Sequence, residues 1–319
     1  TIGGPGQVKV KRNAYSEPDT TTPAITGGTL GGGNSYVDAT FSEGVYSAAD
    51  GTGALNTGSF ALIFSANGGG ATGASISSVT DTNGNALAGG ETTVRVHLSL
   101  TETPTGVETI ELKPASGASI YDEAGNAASA ATTTGTITLS DQTVPTITGG
   151  TLGNGNSYVD VTFSEAVYSA ANGTGALNTG SFALIFSANG GGATGASISS
   201  VTDTNGNALA GGETTVRVNL AITGTPTGVE TIELKPASGT SIYDAAGNAA
   251  LATETTGSIV LKDQSMPMIT GGTLGGGNSY VDATFSKGVY SASDGTGALN
   301  TSSFALIFSA NGGGATGAS

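Results

Sequence analysis

The string ITGGTL begins at Ile25, at Ile147 and again at Ile269, so the chain returns to the same sequence every 122 residues. That period narrows the choice of fold more than any other feature. Helical solenoids and similar arrays repeat every 20–50 residues or so, whereas 122 residues is enough for a whole domain with a core of its own. Residues 23–144 and 145–266 form two copies that match without a change from Gly51 to Val96 and from Gly173 to Val218. A third copy, 267–319, covers less than half of a repeat, and residues 1–18 do not repeat.

Within each copy the apolar residues recur every second position. YVDATF, TVRVHL and TIEL alternate apolar with polar, as half-buried strands do. AITGGTL, SFALIFSA, ASISSVT and GTITLS add further strand-like runs, separated by turn signals at Asn67-Gly68, Asn83-Gly84, Gly89-Gly90, Pro104 and Asp122–Asn126. About seven short strands with regular turns predict an all-β immunoglobulin-like β-sandwich per repeat, the repeats following one another as beads in a rod. The expected division is a non-repeating segment or linker over 1–22, immunoglobulin-like repeats over 23–144 and 145–266, and a truncated repeat over 267–319. Half a sandwich cannot close its core, so truncation is the first expectation for the third copy. Completion by a strand donated from another chain, with GQVKVKR near the N-terminus as a candidate donor, is the rival.

Composition removes several functions. A net charge of −15 with few Lys and Arg argues against nucleic acid and favours solubility and multivalent cations. The absence of Cys excludes disulfide scaffolds and thiolate metal sites, and suits a secreted bacterial protein. No run approaches the 18–20 or so apolar residues of a membrane span. The sole histidine, His97, is Asn219 in the second copy, so it reads as an exposed strand residue and not a catalytic group. Ser and Thr have no base beside them. Glu108 and Glu111, three apart on a strand, fall on opposite faces and cannot flank one glycosidic bond. The chain is therefore expected to be no enzyme. Tyr36, Tyr46, Tyr121 and their copies leave a weaker option, a carbohydrate-binding accessory module. DTNGN at Asp81 and Asp203 reads as a turn before it reads as a calcium loop.

Three motifs recur in fixed order: DTTTPAITGG, DQTVPTITGG and DQSMPMITGG at the junctions, VDATFSE and VDVTFSE on the second strand, IYDEAGN and IYDAAGN before the last. Together they resemble the bacterial immunoglobulin-like (Big-type) tandem repeats of large surface adhesins and related cell-surface proteins. The resemblance spans nearly all of the chain from Asp19 onward. It implies a cell-surface, extracellular location and a stalk module, often stiffened by calcium, that projects a binding domain. Partners would be neighbouring repeats, further copies of the chain, or surface ligands held by other domains.

In such a sandwich the second strand returns to the pole from which the first departs, and the loop before the last strand lies there too. Acids distant in sequence then converge: Asp19, Glu43 and Asp122 with Asn126 in the first copy, Asp141, Glu165 and Asp244 with Asn248 in the second. Clustered carboxylates repel unless a cation joins them or one of them protonates, and hard oxygen ligands suit Ca²⁺. Asp263 is the third junction acid, but Lys287 stands there in place of Glu43 and Glu165. Either the ammonium pairs with Asp263 and replaces an ion, or the position is no ligand. The alternative at each Asp is a plain Asx turn. The expected function is a stalk or spacer of a bacterial surface adhesin or fibre; the alternative is a self-assembling subunit of an extracellular filament or surface layer.

Overall fold

The computed structural model describes residues 17–318, so the segment GQVKVKR lies outside the described residues. The first copy contains seven strands: β1 (Ile25–Leu30), β2 (Tyr36–Val45), β3 (Phe60–Ser65), β4 (Gly73–Thr80), β5 (Glu91–Thr101), β6 (Thr109–Pro114) and β7 (Ile137–Thr138). They pair antiparallel in a four-stranded sheet of order β1-β2-β5-β4 and a three-stranded sheet of order β3-β6-β7. The second copy repeats this with β8 (Ile147–Leu152), β9 (Tyr158–Val167), β10 (Phe182–Ser187), β11 (Ala193–Thr202), β12 (Glu213–Gly224), β13 (Thr231–Pro236) and β14 (Ile259–Val260), in the orders β8-β9-β12-β11 and β10-β13-β14. The architecture is all-β and built of antiparallel sheets, consistent with β-sandwiches.

Period-2 patterning explains which faces meet. Along β2, Val37, Ala39 and Phe41 are buried while Asp38 and Thr40 turn away from the core. On β5, Val94 and Val96 point inward, and on β6, Ile110 and Leu112 do the same. These side chains, with Phe60, Ile120 and Leu139, form one apolar cluster in the first copy; Val159, Val161, Phe163, Val216, Val218, Ile232 and Leu234 belong to its counterpart in the second. No residue is shared between the two clusters. Full burial of each large aliphatic side chain contributes roughly 1.5–3 kcal/mol.

On the outer face of β2, Asp38 lies opposite Arg95 of β5 and receives two hydrogen bonds of 2.8 Å from its guanidinium, whose Cζ lies 3.7 Å from the centre of the Tyr36 ring. Asp160, Arg217 and Tyr158 repeat the arrangement. His97, expected to be exposed, is half-buried: it sits on β5 with its ring edge-on to Tyr36 and Nε2 3.0 Å from Thr80 Oγ1.

Among the described residues the third copy contributes only two strands, β15 (Ile269–Leu274) and β16 (Val281–Phe285), paired antiparallel. Its apolar residues stay open to solvent: Val281 is 56% exposed where Val37 is 0%, and Phe304 is 49% exposed where Phe60 is 5%.

Candidate metal centre

The junction acids are placed by local turn chemistry. Asp19 Oδ1 accepts the Thr21 amide at 2.9 Å, and Asp141 Oδ1 accepts that of Thr143 at 2.8 Å. Both are Asx turns, and in each the second carboxylate oxygen remains for another partner. Glu43 lies inside β2 and not beyond its end, but the β2–β5 register shifts between Thr40 and Val45. That irregularity takes Glu43 out of the ladder and re-aims its side chain, a common use of a bulge. Asp122 is buried in the loop before β7. Asn126 closes that loop, its backbone N–H donating to Oδ1 and its Nδ2 to Oδ2, both at 2.7 Å.

Carboxylate oxygens of Asp19, Glu43 and Asp122 come within 4.8 Å of one another, as do those of Asp141, Glu165 and Asp244. The convergence expected from the sequence is therefore present twice. Asn126 and Asn248 play a different part from the ligands they were expected to be. Each turns its Nδ2 toward the acids, donating to Asp122 or Asp244 and to the backbone carbonyl of Asp19 or Asp141. They are positioning residues that tie the loop to the junction segment.

Electrostatics marks the same spots. Glu165 is pushed up to about 7 by burial first, then by Asp244 and Asp141. Glu43 is raised from the ordinary value by burial, then Asp122 and Asp19. For Asp122, burial pushes upward but is outweighed by the Asn126 side chain and the backbone donors of Asn126, Gly125 and Ala124, so its carboxyl titrates low. The first cluster thus holds Asp122 in its charged form beside a glutamate that resists ionising, and in the second Glu165 resists ionising in the same way. A hard divalent cation would relieve that conflict, and the all-oxygen donor set fits Ca²⁺ or Mg²⁺, with carbonyls or water supplying the remaining ligands.

At the third junction the charge reversal settles into a direct pair. Lys287 Nζ lies 2.8 Å from Asp263 Oδ2 and 2.9 Å from Ser265 Oγ, and it also donates to the Ser265 carbonyl. The Lys287 hydrogen bond, followed by those from Ser265, lowers Asp263 to about 2. Asp263 stands outside both carboxylate clusters. Lys287 thus makes the direct pair with Asp263 that the sequence suggested.

The second and third junctions are also anchored on the side of the preceding repeat. Asn34, in the left-handed region at φ 55°, faces the backbone of Ser140: its Nδ2 donates to the carbonyl and its Oδ1 accepts the amide, both at 2.8 Å. Gln142 N–H donates to the Pro104 carbonyl. Asp141 is therefore held between two fixed neighbours as it reaches the acids of the second copy. Asn156 does the same for Lys262, one residue before Asp263.

Other candidates fall into place as structure. Asp81 and Asp203 accept backbone and side-chain donors from the Asn residues of their own turns and join no carboxylate cluster among the described residues. The three tyrosines do not make one sugar-stacking face. Tyr36 begins β2 and lies under Arg95, whereas Tyr46 follows the far end of β2 and pairs with Tyr121.

Sequence reasoning missed Glu108 and Glu230. Each is fully buried and accepts backbone N–H groups from two loops; for Glu108 the donors are Ala71, Thr105 and Val107. Burial pushes Glu108 upward, but these donors hold it below its usual value. The signal was available: position 108 is in phase with the inward-facing Ile110 and Leu112, so its side chain had to enter the core.

No family model, no curated protein and no solved structure matches the chain.

Proposed function

We propose that this chain is a non-enzymatic, extracellular structural region of tandem immunoglobulin-like repeats, serving as the stalk or spacer of a bacterial surface adhesin or surface fibre and stiffened by calcium at the repeat boundaries. The strand orders β1-β2-β5-β4 and β3-β6-β7 are those of the constant-type immunoglobulin sandwich, which supports the repeat reading. The observation that carries the function is the recurrence of one carboxylate triad at both acidic boundaries, each combining one junction acid with two acids of the following repeat. A cation bound there would tie the junction segment to the repeat that follows, while the Asn34–Ser140 clasp ties it to the repeat before. A hinged string becomes a rod, each repeat adding roughly 25–40 Å from strands that rise about 3.3 Å per residue plus their loops. Lys287 gives the third boundary a fixed cation of its own.

Scattering and calorimetry on the chain with calcium and with chelator test this reading. Calcium is expected to lengthen the maximum dimension and raise the melting temperature; no change in either would overturn it. A second reading is a self-assembling subunit of an extracellular filament or surface layer. Electron microscopy separates the two: isolated rods favour the stalk, ordered polymers the assembly.

A further inference from the structure

We infer that Glu108 and Glu230 are positioning residues for the repeat boundaries. Each buried carboxylate shapes a backbone seat at the end of its own repeat, and that seat fixes the direction in which the chain leaves for the next. The inference concerns the exit half of a boundary and is independent of the calcium reading.

Burying a carboxylate in phase with core residues such as Ile110 and Leu112 costs free energy unless donors surround it. Glu108 and Glu230 are both 0% exposed, and both are surrounded. Glu108 Oε1 accepts the Ala71 amide at 2.8 Å and the Thr105 amide at 3.1 Å, while Oε2 accepts those of Thr105 and Val107 at 3.0 and 3.2 Å. Glu230 accepts the amides of Ala193, Thr227, Gly228 and Val229. Burial works against its charge, but these amides outweigh it and hold the Glu230 carboxyl at about 2, so the acceptor stays ionised through the neutral range. The loop before β6 lies outside the strand ladders, and the glutamate supplies the partners its amides would otherwise lack.

The departing chain docks on that loop. The Pro104 carbonyl accepts the Gln142 amide at 3.0 Å and Thr143 Oγ1 at 3.2 Å, and the Glu108 carbonyl accepts the Leu139 amide at 2.9 Å. Gly106, at φ +83°, makes room for the junction acid: a Cβ there would lie 3.3 Å from Asp141 Cβ. The second copy repeats the seat. Pro226 and Glu230 carbonyls accept the Gln264 and Leu261 amides, both at 2.9 Å, and a Cβ on Gly228 would lie 3.4 Å from Asp263 Cβ. This recurrence separates the seat from any metal. The boundary after the second copy keeps it, although Lys287 stands there in place of the glutamate and Asp263 joins no carboxylate cluster. What the two exits share is the string PTGVE, at Pro104–Glu108 and Pro226–Glu230, with its last residue turned into the core.

The test reads the second boundary in the full chain, in calcium and in chelator. The chain has no Cys, so spin labels can be carried on Ser77→Cys and Ser199→Cys, both exposed. Glu108→Gln keeps the length of the side chain but turns a donor toward the amides. It should speed amide exchange at Gln142 by roughly tenfold or more, as expected when hydrogen bonds to a charged acceptor are lost. It should also broaden the distance distribution between the labels under both conditions. Leu112→Ala removes core volume but none of the hydrogen bonds of the seat, and should leave both readouts at parental values. Parental exchange and width in Glu108→Gln overturn the proposal, as do equal changes in Leu112→Ala, which would make the carboxylate a packing group only. Should Glu108→Gln unfold the first copy, Gly106→Ala carries the decision: it leaves Glu108 in place and crowds Asp141, and a parental width there overturns the proposal. A Glu108→Gln effect in a parent indifferent to calcium supports the seat and tells against the calcium reading; a calcium effect without a Glu108→Gln effect does the reverse.

Discussion

Glu165 offers the sharpest test of the boundary electrostatics. Its carboxyl is raised from 4.5 to about 7 by burial and by the charges of Asp244 and Asp141. Between those values the folded protein holds a proton that the unfolded chain releases. Stability contributed here is greatest below about pH 4.5, falls as pH rises, and reaches its minimum above about pH 7. A displacement of about 2.5 pH units corresponds to a ceiling of about 3.4 kcal/mol. Glu165 is only half-buried, so solvent screening reduces this to about 1–2 kcal/mol. Glu165→Gln removes the ionisable group while keeping its shape. In chelator, hydrogen exchange of the second-copy core amides should show the variant more stable than the parent by that amount at pH 8, and equal to it near pH 4.5. With calcium present the order should reverse, since the parent gains an ion that the variant holds poorly. Equal pH dependence of the two proteins in chelator, or a less stable variant at pH 8, would refute the electrostatic argument.

The remaining expectations follow from the same contacts. Glu165→Lys should form a pair with Asp141 like that of Lys287 with Asp263, and titration calorimetry should show about one fewer calcium bound per chain; unaltered stoichiometry removes Glu165 from the ligand set. Glu108→Ala leaves the backbone donors of Ala71, Thr105 and Val107 without their acceptor, at a cost on the order of 3 kcal/mol, read as loss of protection in the first copy alone. Leu234→Ala, in the fully buried core of the second copy, should cost about 2–5 kcal/mol, measurable as a lower denaturation midpoint of that repeat. Asn156→Ala should release the Lys262 backbone and broaden the interdomain distance distribution at the third boundary, as measured by paired spin labels.

Local pattern carried most of the fold. Alternation in YVDATF and TVRVHL predicted β2 and β5, and their inward residues, because a strand's side chains change face at every step. Turn residues placed the breaks between strands, since Asn and Gly supply the left-handed backbone at Asn67 and Gly68. The period of 122 predicted a core for every full copy, and the first two copies hold separate apolar clusters. Convergence of Asp19, Glu43 and Asp122 was legible too, once strand directions were assumed.

Other features depended on distances that no local window contains. Whether Asn126 is a ligand or a clasp is decided by where its Nδ2 points, and that follows from the Asp19 carbonyl, 107 residues away in sequence. The burial of Glu108 depends on the Gly69–Ala71 loop arriving to satisfy its oxygens, and Tyr36 is withdrawn from sugar stacking by an arginine three strands later in the chain. The sequence by itself determined the strands, their faces and the repeat, because those are set by neighbours along the backbone. Only the tertiary structure decided which polar groups meet, because hydrogen bonds and charges act over a few ångströms of space regardless of how much chain lies between them.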